Sequence, residues 1–248
     1  MSNRAKVVGM IPARLAATRL PNKPLADICG KPMIQRVWER ACQAELLDAV
    51  YVATPDEEIR QVVEAFGGKA IMTSEKHRSG TDRLAEASLS TDADIIVNIQ
   101  GDEPLIEPEN INQAVTPLLV DRTLEMTSLM APCPPDQLDN PATVKVVCDL
   151  HGFALYFSRA RIPFPRNESS AVRVMQHIGL YAYRKEFLQR YAALEPTPLE
   201  RTEMLEQLRV LENGVRIRMV EVDRAPLSVD TPEDLAQMRA IIEKLEEG

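Results

Sequence analysis

The chain has no long apolar run, few cysteines and neither of two familiar glycine-rich signatures. No stretch approaches the roughly 20 apolar residues of a membrane-spanning helix. Pro12 breaks the N-terminal apolar run before it reaches the length of a secretory signal, so we expect a cytoplasmic protein that does not enter a membrane. The four cysteines form no Cys-x-x-Cys pair, which argues against structural zinc and predicts reduced thiols.

The missing glycine signatures and the net charge narrow the function classes. Neither the Gly-x-x-x-x-Gly-Lys-Ser/Thr loop nor the Gly-x-Gly-x-x-Gly fingerprint occurs, which disfavours P-loop and nicotinamide-binding proteins. The formal net charge of -8 disfavours a general nucleic-acid binder, since phosphate backbones require basic faces. A single nucleotide needs only a local basic pocket, so a nucleotide substrate remains open.

The pattern of apolar runs predicts an α/β fold. In the first half of the chain, strand-like and helix-like segments alternate, which is typical of βαβ units and a parallel sheet with right-handed crossovers. The predicted elements are strand 7–11, helix 32–44, strand 49–53, helix 56–66, strand 69–72, helix 81–88 and strand 94–100.

The middle of the chain predicts a smaller, mostly antiparallel excursion from Pro132 to Arg184. Two strand-like segments flank Gly152 as in a hairpin, and a third strand follows. Beyond it we predict a helical stretch from Leu199 to Glu212, a strand, a short strand ending at Asp230, and a final helix capped by Thr231. We expect one domain over residues 1–248, built of these parts.

Asp102 occupies the most informative position. It follows the predicted central strand, in the run Gln100-Gly-Asp-Glu-Pro104. Ligands of open α/β sheets bind in the crevice outside the carboxyl ends of the strands. A carboxylate here is well placed to hold a divalent cation against the phosphates of a nucleotide. The alternative is an ordinary turn whose acids cap the next helix.

A basic loop follows the first predicted strand. It carries Arg14, Arg19 and Lys23 between prolines that stiffen it. A triphosphate is highly anionic and needs several cations together with backbone N–H donors, so this loop is a candidate triphosphate site. The alternative is a surface loop with solvated charges.

Residues 73–83 give a weaker signal of the same kind. Gly80 permits a ligand to approach the backbone closely, and Arg83 can point back from the first helical turn. Ser79 is equally typical of a helix cap, and His77 is more typical of a polar loop than of a catalytic base.

Asp230 is the second candidate carboxylate. It precedes the final helix, and together with Asp102 it would supply the one or two carboxylates that Mg²⁺ takes from a protein. Its alternative role is to complement the positive end of that helix. Glu206 and Gln207 are predicted mid-helix, where they would face either a cleft or solvent.

These segments together resemble the 3-deoxy-manno-octulosonate cytidylyltransferase (CMP-KDO synthetase) family over nearly the whole chain. The most distinctive motifs are Gln100-Gly-Asp-Glu-Pro104 and Val229-Asp-Thr-Pro-Glu-Asp-Leu235. Others are Ile11-Pro-Ala-Arg14, Thr18-Arg-Leu-Pro21, Lys23-Pro-Leu25, Ser79-Gly-Thr-Asp-Arg83, Val144-Lys-Val-Val147, Ala154-Leu-Tyr-Phe-Ser-Arg159, His177-Ile-Gly179 and Met204-Leu-Glu-Gln-Leu-Arg-Val-Leu211.

The resemblance implies a Rossmann-like nucleotide-diphospho-sugar transferase fold. Its predominantly parallel central sheet would carry residues 132–184 as an antiparallel sugar-binding and dimerisation excursion. It implies a homodimeric, Mg²⁺-dependent enzyme that transfers CMP from CTP to the sugar acid KDO for lipopolysaccharide biosynthesis. Alternatives are 8-amino-KDO or another sugar acid as acceptor, or a non-catalytic homologue.

The resemblance also implies residue roles. Asp102 and Asp230 would ligate Mg²⁺ and act in catalysis with Lys23. CTP would be bound by Arg14, Arg19, Lys23, Thr73, Ser79, Gly80, Arg83 and Gln100. KDO would be bound by Arg159, His177, Tyr181, Glu206 and Gln207.

Two positions depart from the family pattern. Ala17 stands where the family commonly has Ser, which removes a hydroxyl contact to phosphate. Ser228 stands where Gly usually precedes Val-Asp in the family. Members of a related subgroup that uses 8-amino-KDO often lack this Gly. The retained His77 instead favours KDO itself.

Overall fold

The computed structural model describes residues 4–16, 20–77, 79–167 and 173–247. Contacts between residues divide the chain into two compact units. The first unit comprises residues 1–112 and 226–248, and the second comprises residues 113–225. No helix among the described residues has the length and apolar character needed to cross a membrane.

The first unit is built around a parallel sheet. Its elements are β1 (Val7–Pro12), a short 3₁₀ helix (Lys23–Leu25), β2 (Asp27–Ile28), β3 (Lys31–Pro32), α1 (Met33–Ala41), β4 (Ala49–Thr54), α2 (Glu57–Ala65), β5 (Ala70–Met72), α3 (Gly80–Ser88) and β6 (Ile95–Asn98). Strand β1 pairs in parallel with both β4 and β6, and β4 pairs in parallel with β5. Strands β2 and β3 form a separate antiparallel pair. All four residues of β6 are buried, which explains why three apolar residues follow one another before the polar Asn98 that ends the strand.

The second unit is mainly antiparallel. After α4 (Pro108–Val120) come β7 (Met126–Pro132), a short 3₁₀ helix (Pro135–Gln137), β8 (Lys145–Cys148), β9 (Ala154–Ser158), β10 (Met175–Arg184), α5 (Lys185–Ala192), α6 (Pro198–Glu203), α7 (Leu208–Glu212) and β11 (Ile217–Glu221). Strand β10 runs antiparallel to β7 and β8, and β8 forms a hairpin with β9. Strand β11 pairs in parallel with β7.

Helix α8 (Pro232–Glu246) ends the described fold and belongs to the first unit. Leu235, Met238 and Ile242 form its buried face, and they pack in one cluster with Ile28 and Met33. The spacing of three and four residues puts all three on one side of the helix. Burial of this face fixes the chain just before α8, where Asp230 lies.

The predicted fold class is confirmed: a mostly parallel α/β sheet with a smaller antiparallel part. The hairpin around Gly152 is also confirmed, and Gly152 has the positive φ of 75° that its turn requires. The predictions missed α4, β7 and α5, whose apolar patterns are interrupted by polar residues. The extent of the sugar-binding excursion and its part in dimerisation remain predictions.

Two predicted elements are wrong. Residues 222–231 contain no strand, so Asp230 ends an extended loop rather than a strand. The helix predicted from Leu199 to Glu212 is two helices, because Met204 adopts a left-handed conformation with φ of 54° and ends α6. The helically spaced Leu205, Leu208 and Leu211 all follow Met204, so their pattern gave no sign of the break.

Candidate active site

An open cavity of about 430 Å³ lies at the carboxyl ends of β1 and β6 in the first unit. Parallel α/β sheets bind their ligands at this edge. The loop after β1 and the turn after β6 supply most of the lining, and Asp230 comes from the segment before α8. The lining residues are Pro12, Ala13, Arg14, Ala16, Leu20, Lys23, Pro24, Gln100, Gly101, Asp102 and Asp230.

Lys23 bonds to two carboxylates of this lining, and we call the three side chains the ion cluster: Lys23, Asp102 and Asp230. Lys23 Nζ lies 2.7 Å from Asp102 Oδ2 and 3.0 Å from Asp230 Oδ1. The Lys23 side chain is 16% exposed, and the carboxylates are 26% and 37% exposed. Both carboxylates therefore converge on one cation in a place that a ligand can reach.

Backbone contacts hold the two carboxylates in place. The backbone N–H of Val229 donates to the carbonyl of Asp102 over 2.9 Å, which ties together the two segments that carry them. The N–H of Asp230 donates to Asp234 Oδ2, and Thr231 and Asp234 form the capping box of α8. This N-cap confirms the predicted start of the helix.

Gly101 allows the turn after β6 to approach β1 closely. A Cβ atom added at this position would lie 3.2 Å from the carbonyl oxygen of Pro12 and 3.4 Å from Ile11 Cγ2. Any larger residue would have to push the two segments apart, and Asp102 would move with them. The glycine in the Gln-Gly-Asp-Glu-Pro motif is thus explained by packing.

A smaller cavity of about 150 Å³ adjoins the same loop. Its lining residues are Pro12, Ala13, Arg14, His77, Ser79, Gly80 and Arg83. Arg14 lines both cavities. Three of the residues predicted to bind CTP, namely Ser79, Gly80 and Arg83, therefore share a cavity wall with the basic loop.

Arg83 and Thr73 bond to each other within the protein. Arg83 Nη1 donates to Thr73 Oγ1 over 2.5 Å and to the carbonyl of Ser74 over 3.3 Å. Burial, with a smaller contribution from the charge of Arg14, lowers the pKa of Arg83. Ser79 caps α3 in a capping box with Asp82, so its alternative role as a cap is confirmed.

His77 contacts the carboxylate of Glu86, which also accepts a hydrogen bond from the backbone N–H of Ser74. These bonds lower the pKa of Glu86, with the Ser74 N–H as the largest cause. Glu86 thus holds the loop that carries His77 against α3.

Glu103 is a buried acid that the sequence did not single out. It is 7% exposed, and its Oε2 has no hydrogen-bond partner among the described residues. Burial raises its pKa to about 8, and the charge of Asp102 adds to the effect. An acid directly before a proline in a turn is a normal surface pattern, so nothing in the sequence indicated its burial.

In the second unit, His177 and Tyr181 lie side by side on β10. Their ring centroids are 5.3 Å apart, and the His177 ring also meets Phe157 edge-on at 4.9 Å. Burial lowers the pKa of His177 to about 3, which keeps the imidazole neutral. Burial raises the pKa of Tyr181, and the charge of Glu206 contributes.

Arg159 donates its hydrogen bonds to backbone carbonyls. Its Nε donates to Glu203 over 2.8 Å, its Nη1 to Pro141 over 2.9 Å and its Nη2 to Met204 over 3.3 Å. The Glu203 carboxylate accepts from the Arg159 backbone N–H. The guanidinium therefore braces the chain around the end of α6, a structural task that the sequence did not reveal.

Glu206 and Gln207 lie between α6 and α7, so their predicted mid-helix position is wrong. Gln207 precedes α7 as its N-cap and is 4% exposed. The carbonyl of Glu206 accepts a hydrogen bond from Tyr191 Oη over 2.8 Å. The turn, rather than a helix face, determines the surroundings of both side chains: Gln207 is buried, whereas the Glu206 side chain is 31% exposed.

The structure thus gathers the predicted site residues into groups within each unit. Arg14, Lys23, Gln100, Asp102 and Asp230 share one cavity wall. His177 and Tyr181 share one strand, whereas Arg159 is bonded to carbonyls of residues 141, 203 and 204. Arg19 and Ala17 lie outside the described residues. Ser228 is exposed in the loop before α8.

Comparison with known proteins gives consistent matches. The model of a family described as cytidylyltransferase matches residues 8–217. A 3-deoxy-manno-octulosonate cytidylyltransferase from Syntrophotalea carbinolica is 53% identical, covering 94% of this chain and 97% of its own. The same-named protein of Geobacter metallireducens is 49% identical, covering 97% and 98%.

A solved structure agrees with these sequence matches. The structure of a CMP:2-keto-3-deoxy-manno-octonic acid synthetase complexed with CTP superimposes with a TM-score of 0.94 at 46% identity, covering 97% of this chain and 100% of that one. A 4-diphosphocytidyl-2C-methyl-D-erythritol synthase from Anaerococcus prevotii shares the fold, with a TM-score of 0.66 at 13% identity.

Proposed function

The chain is a member of the cytidylyltransferase family, and from that premise we propose that it transfers CMP from CTP to the anomeric hydroxyl of 3-deoxy-D-manno-octulosonate (KDO). The hydroxyl oxygen attacks the α-phosphorus in line, and the bond from that phosphorus to the bridging oxygen breaks. Pyrophosphate leaves with the electron pair, and the hydroxyl proton is released. Relatives that are named for this acceptor match nearly the whole chain, at 53% and 49% identity, which supports KDO as the acceptor.

The ion cluster is the observation that carries the proposal. It puts one ammonium and two carboxylates in a reachable cavity at the ligand-binding edge of a parallel sheet. Arg14 lines the same cavity and would add positive charge toward the triphosphate. We also assign Arg19 to the triphosphate, and Gln100 and Arg83 to CTP.

The carboxylates of the ion cluster fit Mg²⁺. Both are oxygen donors aimed at one positive charge, and Mg²⁺ typically takes one or two protein carboxylates while substrate phosphates and water complete its shell. The described residues contain no group of three or more acidic, histidine or cysteine side chains that could hold a metal ion without a substrate. Asp102 and Asp230 would hold the ion, which would neutralise phosphate charge and lower the pKa of the attacking hydroxyl.

The residues themselves contribute mainly by positioning and charge. Lys23 bonds to both carboxylates. If a bound metal ion neutralised the carboxylates, the Lys23 ammonium would be able to turn toward a phosphate oxygen. Phosphoryl transfer depends chiefly on such alignment and charge neutralisation. We assign His177, Tyr181, Arg159, Glu206 and Gln207 to the sugar acid, and we propose that a cytoplasmic homodimer supplies lipopolysaccharide biosynthesis.

Pyrophosphate release tests the proposal. The protein is supplied with CTP and Mg²⁺, and release is compared with KDO, 8-amino-KDO and sialic acid as acceptors. We expect release with KDO well above the other two. A preference for 8-amino-KDO would keep the reaction but assign the acceptor to that sugar, and the exposed Ser228 would be examined as a determinant. No release with any acceptor would contradict the proposal and favour a non-catalytic homologue.

A further inference from the structure

Ser128 of β7 lies at an irregular point of the antiparallel pair formed by β7 and β10. Ile178 pairs with Leu129, but the next pair is Tyr181 with Ser128, so Gly179 and Leu180 form a bulge. Ser128 is fully buried, and its Oγ lies 3.1 Å from the carbonyl oxygen of Ile178 and 3.0 Å from that of Leu180. The hydroxyl therefore serves the carbonyls that the bulge displaces from the regular ladder.

The same hydroxyl contacts His177. Ser128 Oγ lies 2.9 Å from His177 Nε2. A serine hydroxyl has one proton to donate and two lone pairs with which to accept. Its two carbonyl neighbours can only accept. When the hydroxyl proton goes to one of them, the His177 contact is satisfied by an Nε2 that carries a proton and donates it to Ser128 Oγ.

The bulge also explains why His177 and Tyr181 meet. In a regular strand, residues four apart are separated by roughly 13 Å. Looping out two residues makes them next-but-one neighbours on one face, with ring centroids 5.3 Å apart. The edge-on contact with Phe157 limits the His177 ring from another direction. The depressed pKa of His177 agrees with a neutral ring held in one orientation.

We infer that Ser128 is a positioning residue that holds His177 as its neutral Nε2–H tautomer, so that Nδ1 accepts a hydrogen bond from a hydroxyl of the sugar acid. This inference rests on the proposed function, because it specifies how His177 recognises that substrate. A neutral acceptor suits a hydroxyl-rich sugar, since an imidazolium ion offers only donors.

The tautomer is measured directly by ¹⁵N NMR of histidine-labelled full-length protein near pH 7.5. The chain has three histidines, and His177→Gln identifies the signals of His177. We expect a protonated-nitrogen shift for Nε2 and a bare-nitrogen shift for Nδ1. The opposite pattern, or an equal mixture of tautomers, would overturn the inference whether or not the protein is active.

Ser128→Ala tests the consequence for substrate binding. We expect its KM for KDO to rise about tenfold, the effect of losing one aligned hydrogen bond, while the KM for CTP changes less than about twofold. Its NMR signals should show mixed tautomers. Ser128→Thr keeps the hydroxyl and should restore both readouts. If Ser128→Ala fails to fold, the NMR shifts of the unaltered protein decide the question.

Thr127→Val is the matched control in the same strand. Thr127 is equally buried, and its hydroxyl donates to the carbonyl of Ala114 over 2.5 Å, away from His177. We expect this variant to lose stability without changing the KM for KDO or the His177 tautomer. An equal rise of the KM in both variants would reduce Ser128 to a structural residue. Absence of pyrophosphate release by the unaltered protein would defeat the proposed function, while the NMR result would still judge the tautomer.

Discussion

The ion cluster of the first unit and the residues assigned to the sugar acid in the second unit are held in contrasting ways. In the first unit, Lys23 bonds to Asp102 and Asp230 in an open cavity. In the second, Arg159 bonds to backbone carbonyls, and His177 bonds to the hydroxyl that serves the bulge carbonyls. Charges paired with each other can exchange partners when a ligand arrives, whereas side chains bonded to the backbone are fixed before it arrives.

This contrast matches the chemistry proposed for each substrate. A triphosphate brings charge that changes during reaction, so its site benefits from a cation and carboxylates that can rearrange. A sugar acid is recognised by a fixed pattern of hydroxyls, so its site benefits from donors and acceptors set in advance. The following predictions test this difference, beginning with the largest effect.

Asp102→Asn should lower turnover by about 100- to 1000-fold, because it removes charge that acts on the phosphates while keeping the shape of the side chain. The backbone carbonyl that binds Val229 is unchanged, so the fold should survive. Steady-state pyrophosphate release and circular dichroism measure the two effects. Asp92→Asn, which alters an exposed carboxylate paired with Lys6, is the control and should keep full activity. Turnover of Asp102→Asn near that of the unaltered protein at saturating Mg²⁺ would remove Asp102 from the mechanism.

Glu200→Gln should lower the free energy of unfolding by about 3 kcal/mol, since it removes the nearest carboxylate from a largely buried arginine. Arg209 Nε and Nη2 lie 2.8 and 2.5 Å from the two carboxylate oxygens, and both side chains are under 15% exposed. Urea unfolding measures the loss. In the first unit, Glu64→Gln alters an exposed pair with Arg60 and should cost less than about 0.5 kcal/mol. Equal costs for the two variants would show that burial of the Arg209–Glu200 pair adds nothing to its contribution to stability.

His177 should make stability depend on pH below about 6.5. Its pKa is about 3 in the folded protein because of burial, and about 6.5 when unfolded. Between these values the unfolded state binds one more proton, so stability falls as the pH is lowered, by up to about 1.4 kcal/mol per pH unit. When the pH is lowered from 7.5 to 5, the free energy of unfolding should therefore fall by about 2 kcal/mol less for His177→Gln than for the unaltered protein.

His151→Gln is the control for this pH effect, because His151 is exposed in the hairpin turn. Its variant should follow the pH dependence of the unaltered protein in urea unfolding at pH 5 and 7.5. If the free energy of unfolding of His177→Gln depends on pH in the same way as that of His151→Gln, then the folded protein does not hold His177 neutral.

Thr231→Ala should lower the free energy of unfolding by about 1 kcal/mol, the usual effect of removing a helix N-cap. Because the cap adjoins Asp230, turnover should also fall, by several-fold. Thr231→Ser keeps the capping oxygen and should retain both properties. Thermal unfolding and pyrophosphate release provide the comparison; a stability loss with unchanged turnover would separate the cap from the ion cluster.

The sequence was most informative where a motif has a local physical cause. The strand before Asp102 is uniformly buried, and Thr231 caps α8 through its own hydroxyl, so both patterns could be interpreted directly. The contacts of Lys23 span 79 and 207 positions of the chain, which no local pattern encodes. The sequence analysis paired Asp102 with Asp230 as magnesium ligands and gave Lys23 to the triphosphate, but it did not predict that Lys23 bonds to both carboxylates.

Other features depend on irregular backbone. The left-handed Met204 ends α6 inside a segment that was predicted as one helix, and the β10 bulge creates the Ser128–His177 contact. Met204 is not a glycine, so its residue type did not mark the left-handed conformation, and the one glycine of the bulge, Gly179, is a weak signal by itself. In the run Met126-Thr-Ser-Leu-Met130, the sequence shows Ser128 as a small polar residue between apolar ones. It does not show the hydrogen-bond partners of Ser128.

The division of tasks between the two units is tested most directly by calorimetric titration of CTP with and without Mg²⁺. The unaltered protein, Asp102→Asn and His177→Gln are compared under the same conditions. We predict that Mg²⁺ strengthens CTP binding to the unaltered protein and to His177→Gln equally, and that Asp102→Asn loses this gain. A gain that persists in Asp102→Asn, or one that disappears in His177→Gln, would contradict the account.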